Sequence, residues 1–284
     1  MSQRLNVCAV QLTSTDDWQS NQSFILQKIK EVKSFAQSTG CDSTDLISFP
    51  ENSLYFKLHE NSPKPAIELS DALFDPILEQ AQKYNCLIHL GSVPILENGQ
   101  IWNATVLLYP NGDRKLAYKK MHLFDVEIGG DRAYRESDTF AHGHSPAIVE
   151  WRGWRFGLSI CYDLRFGELY SAYGRAGVDA LLVPSAFTVP TGRAHWEVLL
   201  RARAIECQAY VIAAAQGGEH GPKRQTWGHT MIVEPWGEHS QVDTGGGLLL
   251  HKLDKERLKL MREQIPMKNH RHSMAEFETS IDVI

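Results

Sequence analysis

Apolar residues along this chain fall into two alternating rhythms. Compact runs of roughly four to eight residues suit buried strands, and longer stretches suit amphipathic helices. Residues 5–12 (LNVCAVQL) carry the alternation and β-branched content of a strand. Over 21–37, Phe24, Ile25, Ile29, Val32 and Phe35 follow a helical period. Residues 45–49 read as a second buried strand, stopped by Pro50. A helix over 71–84 follows, then strands over 86–93 and 105–109. The turn Pro110-Asn111-Gly112-Asp113 next predicts a hairpin partner over 116–120.

The pattern fades between 121 and 144, which holds Gly129, Gly130 and a His-Gly-His segment; a long loop inside a compact domain is usually functional or disordered. Regularity returns with strands over 147–151 and 155–160, a helix over 166–176, a strand over 180–183 and a helix over 193–207. Strands over 210–215, 230–234 and 248–253 follow, then a helix over 255–264. From 265 the chain is polar and reads as an extended arm. No repeat, low-complexity segment or long Pro/Gly/Ser linker divides it, so one α/β domain with mixed sheets is the economical expectation.

Composition adds exclusions. A net charge of -5 argues against a general nucleic-acid binder. No apolar run approaches the ~18 residues of a membrane span. The N-terminus enters an apolar strand at once, without a signal-peptide core. Five cysteines without CxxC spacing make neither a disulfide framework nor a zinc site. The expectation is a soluble protein in the reducing cytoplasm.

The sharpest chemical signal is Gly157-Leu-Ser-Ile-Cys161-Tyr-Asp-Leu-Arg-Phe-Gly-Glu168, where an apolar strand runs into a cysteine and then a helix. Helix N–H groups near such a thiol favour its thiolate. A lone cysteine is more often inert packing, the reading given to Cys8, Cys86 and Cys207, while Cys41 reads as a partly exposed thiol. Of the cysteines in or at the end of an apolar run, only Cys161 has charged company directly after it. Phe49-Pro50-Glu51-Asn52 sets a carboxylate at a strand mouth, and Lys119-Lys120 ends another strand. Each alone is ordinary surface charge. Their joint occurrence at strand ends suits a cysteine hydrolase with a carboxylate base, although twelve histidines keep a Cys-His enzyme open.

These segments, FPEN, YKKMHLF and ICYDLRF, resemble the three signatures of the nitrilase superfamily of carbon–nitrogen hydrolases, in its order. HLFDVEIGG, VPSAFTVPTGRAHWEVLLRARAIE, YVIAAAQGGEH and WGHTMIVEPWG are most similar to its deaminated-glutathione amidase branch. The resemblance implies a four-layer α-β-β-α sandwich over a hydrolase domain at 1–270, with a tail at 271–284. It implies Cys161 as nucleophile, Glu51 as general base, Lys120 as the catalytic lysine and Glu136 as an auxiliary glutamate, with Lys119 structural. It also implies a homodimer paired through helices near 193–207, with the tail reaching the partner.

Chemically, Glu51 can take the thiol proton, pass it to the departing nitrogen and then activate water. Lys120 and the backbone N–H of Tyr162 are the candidate oxyanion donors. No metal or organic cofactor is required. His142, His144, His270 and His272 lack metal-site spacing. His122 is expected to fix the loop after Lys120, and His195 either to line the pocket with Trp196 or to pack. Arg165 is the first choice for a substrate carboxylate, with pairing to Asp163 or Glu168 its structural alternative; Arg193 is second. Ser185, Phe187 and Thr188 are expected to form the opposite wall. The expected substrate is a small carboxylate-bearing amide, deaminated glutathione foremost. An ω-amidase, another amidase or carbamoylase, and a catalytically silent binding protein are the alternatives.

Overall fold

The structure is a computed structural model that describes residues 3–41, 43–58, 65–128, 132–221, 224–243 and 247–272. In chain order its first half holds β1 (Arg4–Gln11), α1 (Trp18–Ser38), β2 (Leu46–Ser48), α2 (Asp75–Tyr84), β3 (Leu87–Glu97), β4 (Gln100–Leu108) and β5 (Arg114–Lys119). Then come β6 (Asp125–Ile128), β7 (Arg132–Arg135), β8 (Ala147–Trp151), β9 (Trp154–Leu158), α3 (Gly167–Ala176), β10 (Ala180–Leu182) and α4 (Val189–Cys207). The chain continues with β11 (Tyr210–Ala213), β12 (Gly217–Gly221), β13 (Arg224–Trp227), β14 (Met231–Val233), β15 (His239–Gln241), β16 (Gly247–Asp254), α5 (Lys255–Gln264) and α6 (Met267–His270).

Two six-stranded sheets organise these elements, in the orders β16-β1-β2-β3-β4-β5 and β15-β14-β11-β10-β9-β8. Each is mixed. The parallel trio β1-β2-β3 is flanked by antiparallel β16 and β4, and the parallel trio β9-β10-β11 by antiparallel β8 and β14. Strand alternation then builds the layers. Leu5, Val7, Ala9, Leu46, Leu87 and Leu107 point at the second sheet and share a core with Trp154, Leu181 and Trp196. Their neighbours Cys8, Val10, Ile47, Ile88 and Leu90 pack outward with Ile25 and Ile29 of α1 and Ile77 of α2. Helices α3 and α4 cover the far side of the second sheet, through Tyr170, Tyr173, Trp196 and Leu200. This is the four-layer sandwich.

Caps fix the helix ends. Asp17 accepts from the Ser20 N–H at 2.7 Å to start α1, and left-handed Asn85 (φ 48°) stops α2. Asp254 heads α5, accepting from the Glu256 and Arg257 N–H groups.

Three expectations need correction. The 121–144 stretch is not devoid of structure: β6 and β7 pair as a two-stranded ribbon, and residues 136–138 form a 3-10 turn. Gly129 and Gly130 lie outside the described residues. The arm from 265 is not simply extended, because Pro266 leads into α6; residues 273–284 of the tail lie outside the described residues. Helix α4 begins at Val189, four residues earlier than its apolar rhythm predicts, with Pro190 in its first turn, where a missing N–H costs nothing.

Candidate active site

Glu51 leaves the mouth of β2 on a tight turn. The Asn52 N–H donates to Ser92 Oγ at 2.9 Å and the Ser53 N–H to the Ser92 carbonyl at 3.1 Å. Asn52 is left-handed (φ 56°), a conformation asparagine tolerates. Gly91 makes this approach possible: a Cβ there would lie 2.3 Å from both the Phe49 carbonyl oxygen and Pro184 Cβ. Gln216 holds the turn from the other sheet, its Nε2 donating to the Glu51 carbonyl at 2.9 Å and to Ser14 Oγ at 2.7 Å.

Lys120 follows β5, with its N–H donating to the Asn103 carbonyl at 2.9 Å. Alternation separates the lysine pair: Lys119 turns outward to Glu97 and over the Trp102 ring, while Lys120 turns into the sandwich. There Nζ donates to Glu51 Oε1 at 2.8 Å and to Glu136 Oε2 at 2.7 Å. Glu136 Oε2 also receives the Phe124 N–H at 2.9 Å, and Asn103 Nδ2 donates to Glu51 Oε1 at 3.1 Å. Burial would lower the lysine's pKa, but the charges of Glu136 and Glu51 outweigh it and hold the ammonium well above its ordinary range. Burial raises the Glu136 carboxyl, with Lys120 opposing and Glu51 adding to the rise.

Cys161 opens a 3-10 turn between β9 and α3 with φ 49°, a strained value for a residue with a Cβ. Its N–H donates to the Pro184 carbonyl at 2.9 Å, which ties it to the exit of β10. The Ala186 backbone N–H pulls the thiol's pKa down and the Glu51 side chain pushes it up. Burial first, then the Glu51 charge, push the thiol well above its ordinary value against the pull of Lys120. That corrects the expected helix-end thiolate: in a site this enclosed, desolvation outweighs the nearby N–H groups. The resting thiol is protonated.

Asp163 joins the cysteine turn to the lysine strand. It is fully buried and accepts from the Ile160 N–H (2.9 Å), the Tyr118 hydroxyl (2.8 Å) and the His122 N–H (2.9 Å), with His122 Nδ1 at 2.7 Å. The His122 ring stacks on Phe166 at 3.6 Å. Tyr118 and His122 flank Lys120, so one carboxylate fixes the approach of both segments.

Arg165 is not the structural salt bridge that its neighbours suggested. Among the described residues it forms no ion pair with Asp163 or Glu168; it lies over the Tyr162 and Phe187 rings and reaches His195 Nδ1 at 3.2 Å. His195 is exposed on α4. Phe187 packs on Trp196, and Thr188 is the residue before α4, its hydroxyl 2.8 Å from that of Thr191. Ser185 is fully buried, and its hydroxyl donates to the Val183 carbonyl at 3.3 Å. Arg193 lies over the Trp227 ring instead of beside Arg165. Sequence reasoning missed Asn103, Gln216 and Ser92, polar residues inside or beside apolar strands with no local signature. Among the described residues, no cluster of His, Cys, Asp and Glu could hold a metal ion.

Chemically, an ammonium between two carboxylates, facing a protonated thiol with an N–H at its sulfur, suits proton transfer followed by attack on an acyl carbon. Comparisons agree. The carbon–nitrogen hydrolase family model matches residues 6–263. Deaminated glutathione amidase of Yersinia enterocolitica is 38% identical over 271 residues, spanning 93% of this chain and 92% of that protein. Among solved structures, the Caenorhabditis elegans NitFhit protein aligns at TM-score 0.83 and 33% identity, over 95% of this chain and 66% of its own. Saccharomyces cerevisiae Nit3, a member of branch 10 of the nitrilase superfamily, aligns at 0.79 and 25% identity, over 94% and 96%. The chain belongs to the carbon–nitrogen hydrolase family and is a hydrolase of carbon–nitrogen bonds other than peptide bonds.

Proposed function

We propose that the chain is a cysteine-dependent amidase that cleaves deaminated glutathione through a thioester acyl-enzyme. The observation that carries this reading is the Glu51–Lys120–Glu136 ion cluster around the Cys161 thiol. Glu51 takes the Cys161 proton as the sulfur attacks the amide carbonyl. Lys120 Nζ and the backbone N–H groups of Tyr162 or Ala186 stabilise the oxyanion, and loss of one such donor typically costs ~10²–10³ in rate. Glu51 returns the proton to the nitrogen as the C–N bond breaks, releasing the amine. It then takes a proton from water, whose oxygen attacks the thioester, and restores the thiol as the acid leaves. Glu136 holds Lys120 in place and keeps its ammonium protonated.

The substrate follows from the Yersinia relative's activity and from Arg165, a guanidinium without a carboxylate partner among the described residues. Deaminated glutathione carries carboxylates at both ends, and guanidinium binds carboxylate bidentately. Free cysteines at all five positions support a reducing, cytoplasmic setting. Among the described residues, no helix is long and apolar enough to cross a membrane. Homodimerisation through α4 completes the proposal, supported by exposed Val198 and Ile205 on that helix.

A substrate panel tests it: deaminated glutathione, an ω-amide of a keto acid, a carbamoyl amino acid and a neutral aliphatic amide. Deaminated glutathione is expected to lead in kcat/KM by at least about tenfold, ~1.4 kcal/mol in transition-state binding. Faster cleavage of the ω-amide reassigns the substrate, and no cleavage of any amide sinks the amidase reading.

A further inference from the structure

Among the described residues, Asn103 is the one side chain hydrogen-bonded to the Glu51 carboxylate that the mechanism above does not use. It lies inside β4, with Trp102 and Ala104 as neighbours, and is 1% exposed. Its side-chain Nδ2 donates to Glu51 Oε1 at 3.1 Å, the oxygen that also receives Lys120 Nζ at 2.8 Å. Its backbone carbonyl accepts the Lys120 N–H at 2.9 Å. One strand residue therefore holds the carboxylate through its side chain and the lysine through its main chain.

The other end of the amide shows what this arrangement costs. Among the described residues, Asn103 Oδ1 is buried and has no hydrogen-bond partner. An unmet buried acceptor lowers stability, and an apolar side chain of similar size would avoid it. Packing therefore does not account for the amide, whereas the donor at Glu51 does.

We infer that Asn103 is a positioning residue for the base, locking the Glu51 carboxylate so that Oε2 receives the Cys161 proton. Two donors occupy Oε1, which fixes the carboxylate plane and leaves its second oxygen for the thiol. A neutral donor suits the site. Lys120 already balances one of two carboxylates, and an acid at 103 would add a third negative charge to a pocket that must form a thiolate. The inference rests on the assignment of Glu51 as base, and its test separates the two.

The test is a double-mutant cycle between Asn103→Leu and Glu51→Gln, read by iodoacetamide alkylation of Cys161 and by amide turnover, with the modified Cys161 peptide quantified by mass spectrometry. Asn103→Leu is expected to lower kcat about 10–100-fold, since a ~1 Å misplacement can cost 10²-fold. KM is expected to stay within about threefold, the mark of a loss in the chemical step and not in substrate binding. Alkylation is expected to slow with kcat in the native background and not to slow further when Glu51 is already Gln. Asn103→Ser, too short to reach Glu51, is expected to behave alike and serves if the leucine variant does not fold. Unchanged kcat, or an equal additional loss of alkylation in the Glu51→Gln background, overturns the inference. If Glu51→Gln alone leaves alkylation and turnover intact, the assignment of the base fails instead.

Discussion

Lys120 Nζ lies 2.8 Å from Glu51 Oε1 in an ion pair almost wholly removed from water, 1% and 2% exposed. Charges this deep are retained against a large desolvation cost, and they repay it only together. Lys120→Met keeps the volume and strands the Glu51 and Glu136 carboxylates. It is expected to lower stability by about 3–5 kcal/mol in urea unfolding. Turnover is expected to fall at least ~10²-fold with loss of the oxyanion donor. A stable, active variant would remove Lys120 from both roles.

The protonated Cys161 thiol gives a second expectation. Burial and the Glu51 charge hold its pKa well above the ordinary value, which favours a protonated thiol at rest. Ultraviolet difference spectra of wild type against Cys161→Ser should show no thiolate band up to pH ~8.5, where a free thiol would be half ionised. A band at neutral pH would mean a preformed thiolate and no need for a base. Cys161→Ala should abolish hydrolysis and leave the fold intact, as checked by circular dichroism.

Acid stability should be set largely by His89. This side chain is fully buried beside Ser48, with 2.8 Å from Nδ1 to Oγ, and desolvation pushes its pKa down to about 3. The unfolded chain binds that proton near pH 6.5 and the folded chain does not, so stability is complete above ~6.5 and lost as pH falls toward ~3. At ~1.4 kcal/mol per pH unit the interval is worth roughly 5 kcal/mol. His220, pushed by burial to about 4, adds a smaller loss over the same window. His89→Gln keeps a polar partner for Ser48, and its Tm should fall less steeply between pH 6.5 and 4. An identical slope would assign acid lability elsewhere.

How much of this was legible follows from where each signal lives. The parallel strands were readable because their residues are apolar in short runs, and Glu51, Lys120 and Cys161 because each sits where such a run ends. The ribbons β6–β7 and β12–β13 were not, since their strands lack the apolar runs that mark the strands of the two sheets. Asn103 was invisible for another reason. It meets Glu51 across 52 residues of sequence, through strand register that no local pattern encodes. The raised thiol pKa was equally hidden, because it depends on depth of burial, and the sequence around Cys161 argues the opposite sign.

The exposed apolar side chains on and beside α4 predict self-association. Val198 is 68% exposed, Ile205 46% and Trp236 57%. Arg201 Nε donates to the Gly237 carbonyl at 3.0 Å, which sets the turn bearing Trp236 against the helix. Single exposed apolar residues are ordinary, whereas a grouped set marks an interface. Sedimentation should report a dimer for the native chain and a monomer for Val198→Asp. A native monomer would leave the patch without this role.

Substrate charge is the sharpest remaining expectation, and Arg165 carries it. Its guanidinium stands 5.7 Å over the Tyr162 ring and 5.5 Å over the Phe187 ring, so aromatic faces fix it without consuming its charge. The neighbouring acids are spent or remote. Asp163 is saturated by Ile160, Tyr118 and His122, and Glu168 makes no ion pair with Arg165 among the described residues. Tyr162 directly follows Cys161, so the arginine stands beside the reacting sulfur's turn. His195, 3.2 Å away through Nδ1, can fix the guanidinium further. In a chain of net charge -5, an unspent cation at the site can draw in a carboxylate. Arg165→Ala should therefore raise KM for a dicarboxylate amide while leaving a neutral analogue nearly unaffected. The loss should be about 10–100-fold, in line with the ~1.5–3 kcal/mol of a hydrogen bond to a charged group. Arg165→Lys should recover only part of it, because an ammonium keeps the charge and loses the bidentate fork. The measurement is kcat/KM for both substrates in all three proteins. Equal losses for the charged and neutral amides would make Arg165 a support for Phe187 and leave the carboxylate to be bound elsewhere.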